Sequence, residues 1–240
     1  MFLKIVIVLL LLIVAASLLG GRGPQPPGRR AKPPVRALML RIAGVLLILG
    51  VVVLAIHLSG CSRSESSFHA TDISGASFAR LGALDGLTDH VGRRVAGADF
   101  SGKAVVVFFG YTQCPDICPT TLTAMKEAMA LLGPEADRVQ VLFVTVDPER
   151  DTQATLAAYV PWFDPRFRGL FGNTEATLAT AREFRVFYSK VKGETAMGYS
   201  IDHSATSYAF DPQGRLRLLI PHGAKPEHIA ADLRKLLNKK

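Results

Sequence analysis

Residues 105–122 read VVVFFGYTQCPDICPTTL, and no other stretch constrains the fold as tightly. Val105 to Phe109 form an unbroken β-branched and aromatic run. A short apolar run without alternation is a strand buried on both faces, which places it centrally in an α/β sheet. A Gly-Tyr-Thr turn follows, then Cys114 and Cys118 at C-x-x-x-C spacing, then a helix start. Pro115 biases Cys114 away from helical angles, and Pro119 suits a first helical turn. Beyond it Cys118, Leu122, Met125, Met129 and Leu132 recur in steps of four and three, one buried stripe. Cys114 therefore belongs to the loop and Cys118 to the helix entrance. In open α/β sheets chemistry collects at this edge. A helix N-terminus favours thiolate, and two thiolates meeting there suit a soft metal or a reversible disulfide.

The chain has 240 residues, enough for one domain with an extension. Its net charge of +8 is misleading, because residues 1–60 hold seven of the 28 basic groups and no acid. The remainder carries 21 basic against 20 acidic residues, so a nucleic-acid surface is not indicated. The basic surplus speaks instead to membrane topology. Two apolar stretches, 2–19 and 42–58, flank the basic linker GRGPQPPGRRAKPPVR. A bilayer span takes about 20 residues, and cationic linkers favour the cytoplasmic side. Two spans would put everything after residue 60 outside the cytoplasm. A second reading leads to the same face: Leu58-Ser59-Gly60-Cys61 resembles a lipobox, with Met39 and Arg41 opening a signal peptide and Cys61 as the lipidated residue. The expected organisation is a membrane or signal region at 1–60, a tether at 61–69 and a folded domain at 70–240. With 3 cysteines there is no disulfide framework, so the close pair is functional rather than structural.

Within the domain, Thr71–Phe78 reads as a strand and Ala83–Val95 as a hairpin turning near Asp85-Gly86. The cysteine helix stops at Gly133-Pro134 and Val139–Val146 is a second buried strand. Thr152 caps a helix that Pro161 ends, with Trp162–Pro165 as loop. Thr174 caps a helix from Glu175 to Phe184, Val186–Lys190 is a strand, and a Gly-containing loop leads to a strand over His203–Phe210. Asp211–Gly214 turns into a strand at Leu216–Ile220, and Pro226 opens a last helix. There is no internal repeat. This order predicts a thioredoxin-like mixed α/β sheet with helices on both faces, although the usual redox pair is C-x-x-C.

Two thiolates leave a metal site incomplete. Of six histidines, His57 lies in an apolar stretch, His69 and His90 read as solvated, and His228 as a surface residue. His222 and His203 remain open as a third donor, with His203 favoured because it follows a loop able to carry it over the cysteines. Asp116 reads as a helix-start carboxylate. Asp147 and Asp202 are candidates to orient the histidine.

Four blocks, FFGYTQCPDICPTTL, FVTVDPERDT, FDPRFRGL and YSIDHSATSYAFDPQG, resemble in order and spacing the signatures of the Sco/SenC family over about residues 70–240. The resemblance implies a thioredoxin-like, membrane-anchored copper-binding chaperone for cytochrome c oxidase assembly. It implies copper, as Cu(I) or Cu(II), held by Cys114, Cys118 and His203. It implies as partners the copper-bearing oxidase subunit and an upstream copper donor or thiol reductant. The location it implies is a bacterial inner membrane, with the domain facing the periplasm or cell exterior. The double apolar N-terminus departs from a single-anchor pattern. The alternative is a thiol–disulfide oxidoreductase acting on exported proteins through Cys114 and Cys118. A peroxiredoxin-like peroxidase would need an Arg near the thiolate, which the cysteine block lacks.

Overall fold

The computed structural model describes residue 39 and residues 42–51, 68–192 and 198–238. The chain divides into two units, residues 1–65 and 66–240. In the first, residues 42–51 are helical, and Ile42, Leu46, Leu47, Leu49 and Val51 are exposed. Among the described residues no helix is long and apolar enough to cross a membrane. The apolar stretch 2–19, most of 42–58 and the lipobox Cys61 lie outside the described residues.

The second unit is built on β3 (Ala104–Gly110), all seven of whose residues are buried. It runs parallel to β4 (Val139–Thr145), which runs parallel to β5 (Arg168–Phe171). On the other side β3 pairs antiparallel with β8 (Ser207–Phe210), and β8 with β9 (Leu216–Ile220). Two-residue strands, β1 (Thr71–Asp72) and β2 (Thr88–Asp89), close the edges, giving the order β1-β9-β8-β3-β4-β5-β2. Alternation along β3 divides the core. Val106 and Phe108 face α1 (Ile117–Leu132), α2 (Gln153–Phe163) and α4 (Pro226–Asn238). Val105, Val107 and Phe109 face α3 (Thr174–Glu183) and short helical turns at Leu81–Leu84 and Gly97–Phe100. Each fully buried Phe contributes ~2–3 kcal/mol by leaving water. The expected mixed sheet with helices on both faces is thus observed.

α1 carries the expected stripe: Cys118, Leu122, Met125, Met129 and Leu132 are all buried. It ends at Gly133, whose φ of 60° is a left-handed conformation that glycine adopts without strain. Several boundaries differ from the sequence reading. The segment after Asp72 is not strand, and the chain reverses over Asp89–Gly92, where the Gly92 amide donates to the Asp89 carbonyl, not at Asp85-Gly86. α2 continues through Pro161 to Phe163, so Trp162 is helical rather than loop. The cap of α3 is Asn173, not Thr174.

The largest difference concerns residues 199–210. They form two strands in different sheets, β7 (Tyr199–His203) and β8. β7 pairs antiparallel with β6 (Tyr188–Lys192) as a separate two-stranded hairpin, matching Tyr188 with His203. His203 therefore closes a strand instead of opening one.

Candidate metal centre

β3 delivers the chain to Gly110 at the sheet's edge, where a Cβ would lie 2.7 Å from Cys118 Sγ and 2.8 Å from Phe143 Cε2. Only glycine leaves space for the thiol there. The following loop is pinned by Asp151, 2% exposed. Its carboxylate accepts from the Thr112 amide at 3.1 Å, the Thr112 hydroxyl at 2.6 Å and the Thr145 hydroxyl at 2.6 Å. Burial pushes its pKa up, against those hydrogen bonds. Cys114 sits half-buried in this loop and Cys118 is fully buried in the first turn of α1; both are free thiols.

The hairpin brings His203 over them. Its Nε2 lies 3.5 Å from Cys118 Sγ, and its Nδ1 lies 3.0 Å from the Ser204 carbonyl oxygen. A carbonyl only accepts, so Nδ1 carries a proton there, and Nε2 is the nitrogen turned toward the sulfurs, where a metal would find it. Phe108 and Tyr111 meet the imidazole edge-on at 6.1 Å and 5.9 Å between centroids. The ligand atoms of Cys114, Cys118 and His203 all lie within 4.8 Å of one another, the one such cluster among the described residues.

The two thiols are unequal. The Cys118 thiol donates to Cys114, and that hydrogen bond, aided by His203 and the amides of Cys118 and Asp116, outweighs burial to pull Cys114 down to about 3. Cys118 is driven far upward by the same shared proton and by burial. The sequence reading expected two thiolates at the helix entrance. The structure instead has the pair share one proton between a thiolate and a thiol, because two adjacent negative sulfurs repel.

The other candidates fall elsewhere. His222 Nδ1 lies 3.0 Å from the Thr121 hydroxyl, away from the cluster. His69 and His228 stack on each other at 4.0 Å. His90 is not simply solvated: its Nδ1 accepts from the Gly169 amide at 2.9 Å, and burial lowers its pKa. Asp116 is exposed at the start of α1 and accepts from the Thr120 hydroxyl at 3.3 Å. Asp147 binds Arg150 and the Tyr199 hydroxyl instead of the histidine. The acceptor at His203 Nδ1 is the Ser204 carbonyl, so Asp202 is not needed there. Sequence reasoning missed Arg150, which reaches Gln113 beside Cys114; the D-P-E-R-D block contained it without showing where it would point.

Comparison with known proteins decides the family. The SCO1/SenC pattern matches residues 78–238, more than half of the chain. The chain belongs to the SCO1/SenC family. The mouse mitochondrial protein SCO2 homolog is 39% identical over 151 residues, 62% of this chain and 59% of that one, so the match spans less than two thirds of that relative. The bovine SCO2 homolog is 35% identical over 219 residues, 89% of this chain and 81% of the relative. Among solved structures, Bradyrhizobium japonicum ScoI, determined with copper bound, is 39% identical. It superposes with a TM-score of 0.59 over 62% of this chain and 95% of its own. The SCO1/SenC match takes in both cysteines and His203.

Proposed function

We propose that this SCO1/SenC protein is a membrane-anchored copper chaperone, holding copper as cargo between Cys114, Cys118 and His203. The observation that carries the reading is the convergence of two soft sulfurs and one imidazole nitrogen within 4.8 Å. Thiolates favour Cu(I) and imidazole accepts either oxidation state. Structural zinc normally takes four protein ligands, whereas three leave a position for a recipient's donor. Loading requires Cys118 to release its proton, so uptake is coupled to proton loss. The copper-bound ScoI relative supports the choice of metal. The Sco family is one of cytochrome c oxidase assembly proteins, which supports the copper-bearing oxidase subunit as recipient. An N-terminal anchor, by span or through Cys61, would keep the domain at the outer face of a bacterial inner membrane.

The thiol asymmetry favours a second reading, reduction of a recipient's disulfide. The Cys114 thiolate attacks one recipient sulfur, expelling the other as a thiolate. Cys118, giving up its proton to that leaving sulfur, then resolves the mixed disulfide. The recipient gains two electrons and this chain becomes the disulfide.

The test is copper affinity of the full-length chain in detergent, measured by chelator competition. His203→Ala is expected to weaken binding by at least about tenfold, as loss of a ligand should, and Cys114→Ser or Cys118→Ser to abolish it. If His203→Ala binds copper as tightly as the parent, and the serine variants lose only disulfide reduction, the chaperone reading fails and the reductase stands.

A further inference from the structure

The thiols and the imidazole ride on separate parts of the chain, and the side chain of Arg150 reaches both. Its Nε meets Asp147 Oδ2 at 2.5 Å, and its Nη1 donates to Gln113 Oε1 at 3.1 Å and to the Tyr199 carbonyl at 2.9 Å. Its guanidinium lies 3.6 Å from the Tyr199 ring centroid and 5.7 Å from that of Tyr111. The Tyr199 hydroxyl donates back to Asp147 Oδ1 at 2.8 Å. Gln113 precedes Cys114, Tyr111 packs edge-on against His203, and Tyr199 opens the strand that His203 closes. The hairpin β6–β7 is outside the seven-stranded sheet, and a lone two-stranded hairpin is marginal in water. Ile201 anchors its middle in the core. The Arg150 link adds a polar tie to that anchor, and it has buried partners: the Arg150 side chain is 15% exposed and that of Asp147 fully covered.

We propose that Arg150 is a positioning residue that couples the cysteine loop to the His203 hairpin, setting how tightly the imidazole closes on the cargo. The inference rests on the copper-site reading. The planar fork of arginine supplies the role, since it can pair with Asp147, donate to two oxygens and stack on Tyr199 together; a lysine cannot.

A double-mutant cycle in the full-length protein tests it. Arg150→Met is expected to weaken copper binding by about fivefold or more when His203 is present, and by less than about twofold in the His203→Ala background. In the metal-free protein, Arg150→Met is expected to speed amide exchange in Tyr199–His203 by about tenfold, leaving β3 and β4 unchanged. Arg150→Lys restores neither property. If Arg150→Met does not fold, Tyr199→Phe, which removes only the hydroxyl link to Asp147, is read in the same cycle. An equal loss in both backgrounds, or unaltered exchange in the hairpin, overturns the coupling. The two failures are separable: His203→Ala binding like the parent sinks the copper-site reading, whereas a weak His203→Ala with a parent-like Arg150→Met sinks only the role of Arg150.

Discussion

At position 110 the backbone passes so close to the buried thiol that a methyl group has nowhere to go. The added carbon would meet a sulfur at 2.7 Å, the ring of Phe143 at 2.8 Å and that of Phe108 at 3.2 Å. Gly110→Ala is therefore expected to cost ~1–3 kcal/mol by overpacking and to push Cys118 Sγ away from its 3.5 Å approach to His203. Both effects are measurable, as a fall in denaturation midpoint and as weaker copper binding in the same preparation. Unchanged affinity despite lost stability would mean that the sulfur has room to move. How legible each residue was follows from its chemistry. Cys114 and Cys118 announced themselves because they sit close together at a strand–helix junction. His203 was named by its motif but misplaced, since residues 203–210 look like one continuous strand although the chain changes sheets between His203 and Ser207. Asp147 and Asp202 were reasonable guesses for orienting the ring. A backbone carbonyl does that work at Ser204, and a carbonyl has no residue signature.

At the scale of elements, long periodic segments were readable and short ones were not. β5 has only four residues, Arg168-Gly169-Leu170-Phe171, with a charge and a glycine among them, so the Asp164-Pro165 turn ahead of it was not enough to mark it as strand; its identity comes from pairing with β4. Pro161 was read as a stop, yet it sits in the last turn of α2. Its ring removes one helical hydrogen bond, and the burial of Val160 and Phe163 on either side holds the helix to Phe163 regardless. At the start of α3 the sequence reading took Thr174 as the cap. The structure selects Asn173, whose Oδ1 accepts from the Ala176 amide at 2.8 Å, leaving Thr174 as the first helical residue. Asn173→Ala is accordingly expected to cost about 1 kcal/mol in urea unfolding. Thr174→Ala is expected to stay within about 0.5 kcal/mol. The opposite ranking would restore the threonine as the cap.

For the molecule as a whole, the buried charges set the direction in which pH acts. Asp211, fully covered at the β8–β9 turn, accepts from the Arg215 amide at 3.0 Å and pairs with Arg215 at 2.8 Å and Arg217 at 3.1 Å. Arg217 in turn donates to Ser74 at 2.7 Å, so this carboxylate ties the hairpin to the segment after β1. Burial pushes the Asp211 carboxyl up, but the Arg215 amide and the two guanidinium groups outweigh it and hold the pKa below the usual range. A carboxyl held lower in the folded than in the unfolded chain contributes stability that is full above the unfolded value, about 3.9. That stability is lost as pH falls through the folded value. His90 acts in the same direction at higher pH. Burial lowers its imidazole pKa, so protonation favours the unfolded chain as pH drops below about 6.5. Thermal stability of the full-length protein should therefore decline in two stages on acidification, a shallow one below about pH 6.5 and a steep one below about pH 4. His90→Gln is expected to remove the shallow stage. Asp211→Asn is expected to lower the midpoint at pH 7 and flatten the steep stage, because it deletes a charge that only the folded state favours. A steep stage of undiminished slope in Asp211→Asn would assign the acid sensitivity to other carboxylates, with Asp164, held low by Arg166 against its burial, the next to test.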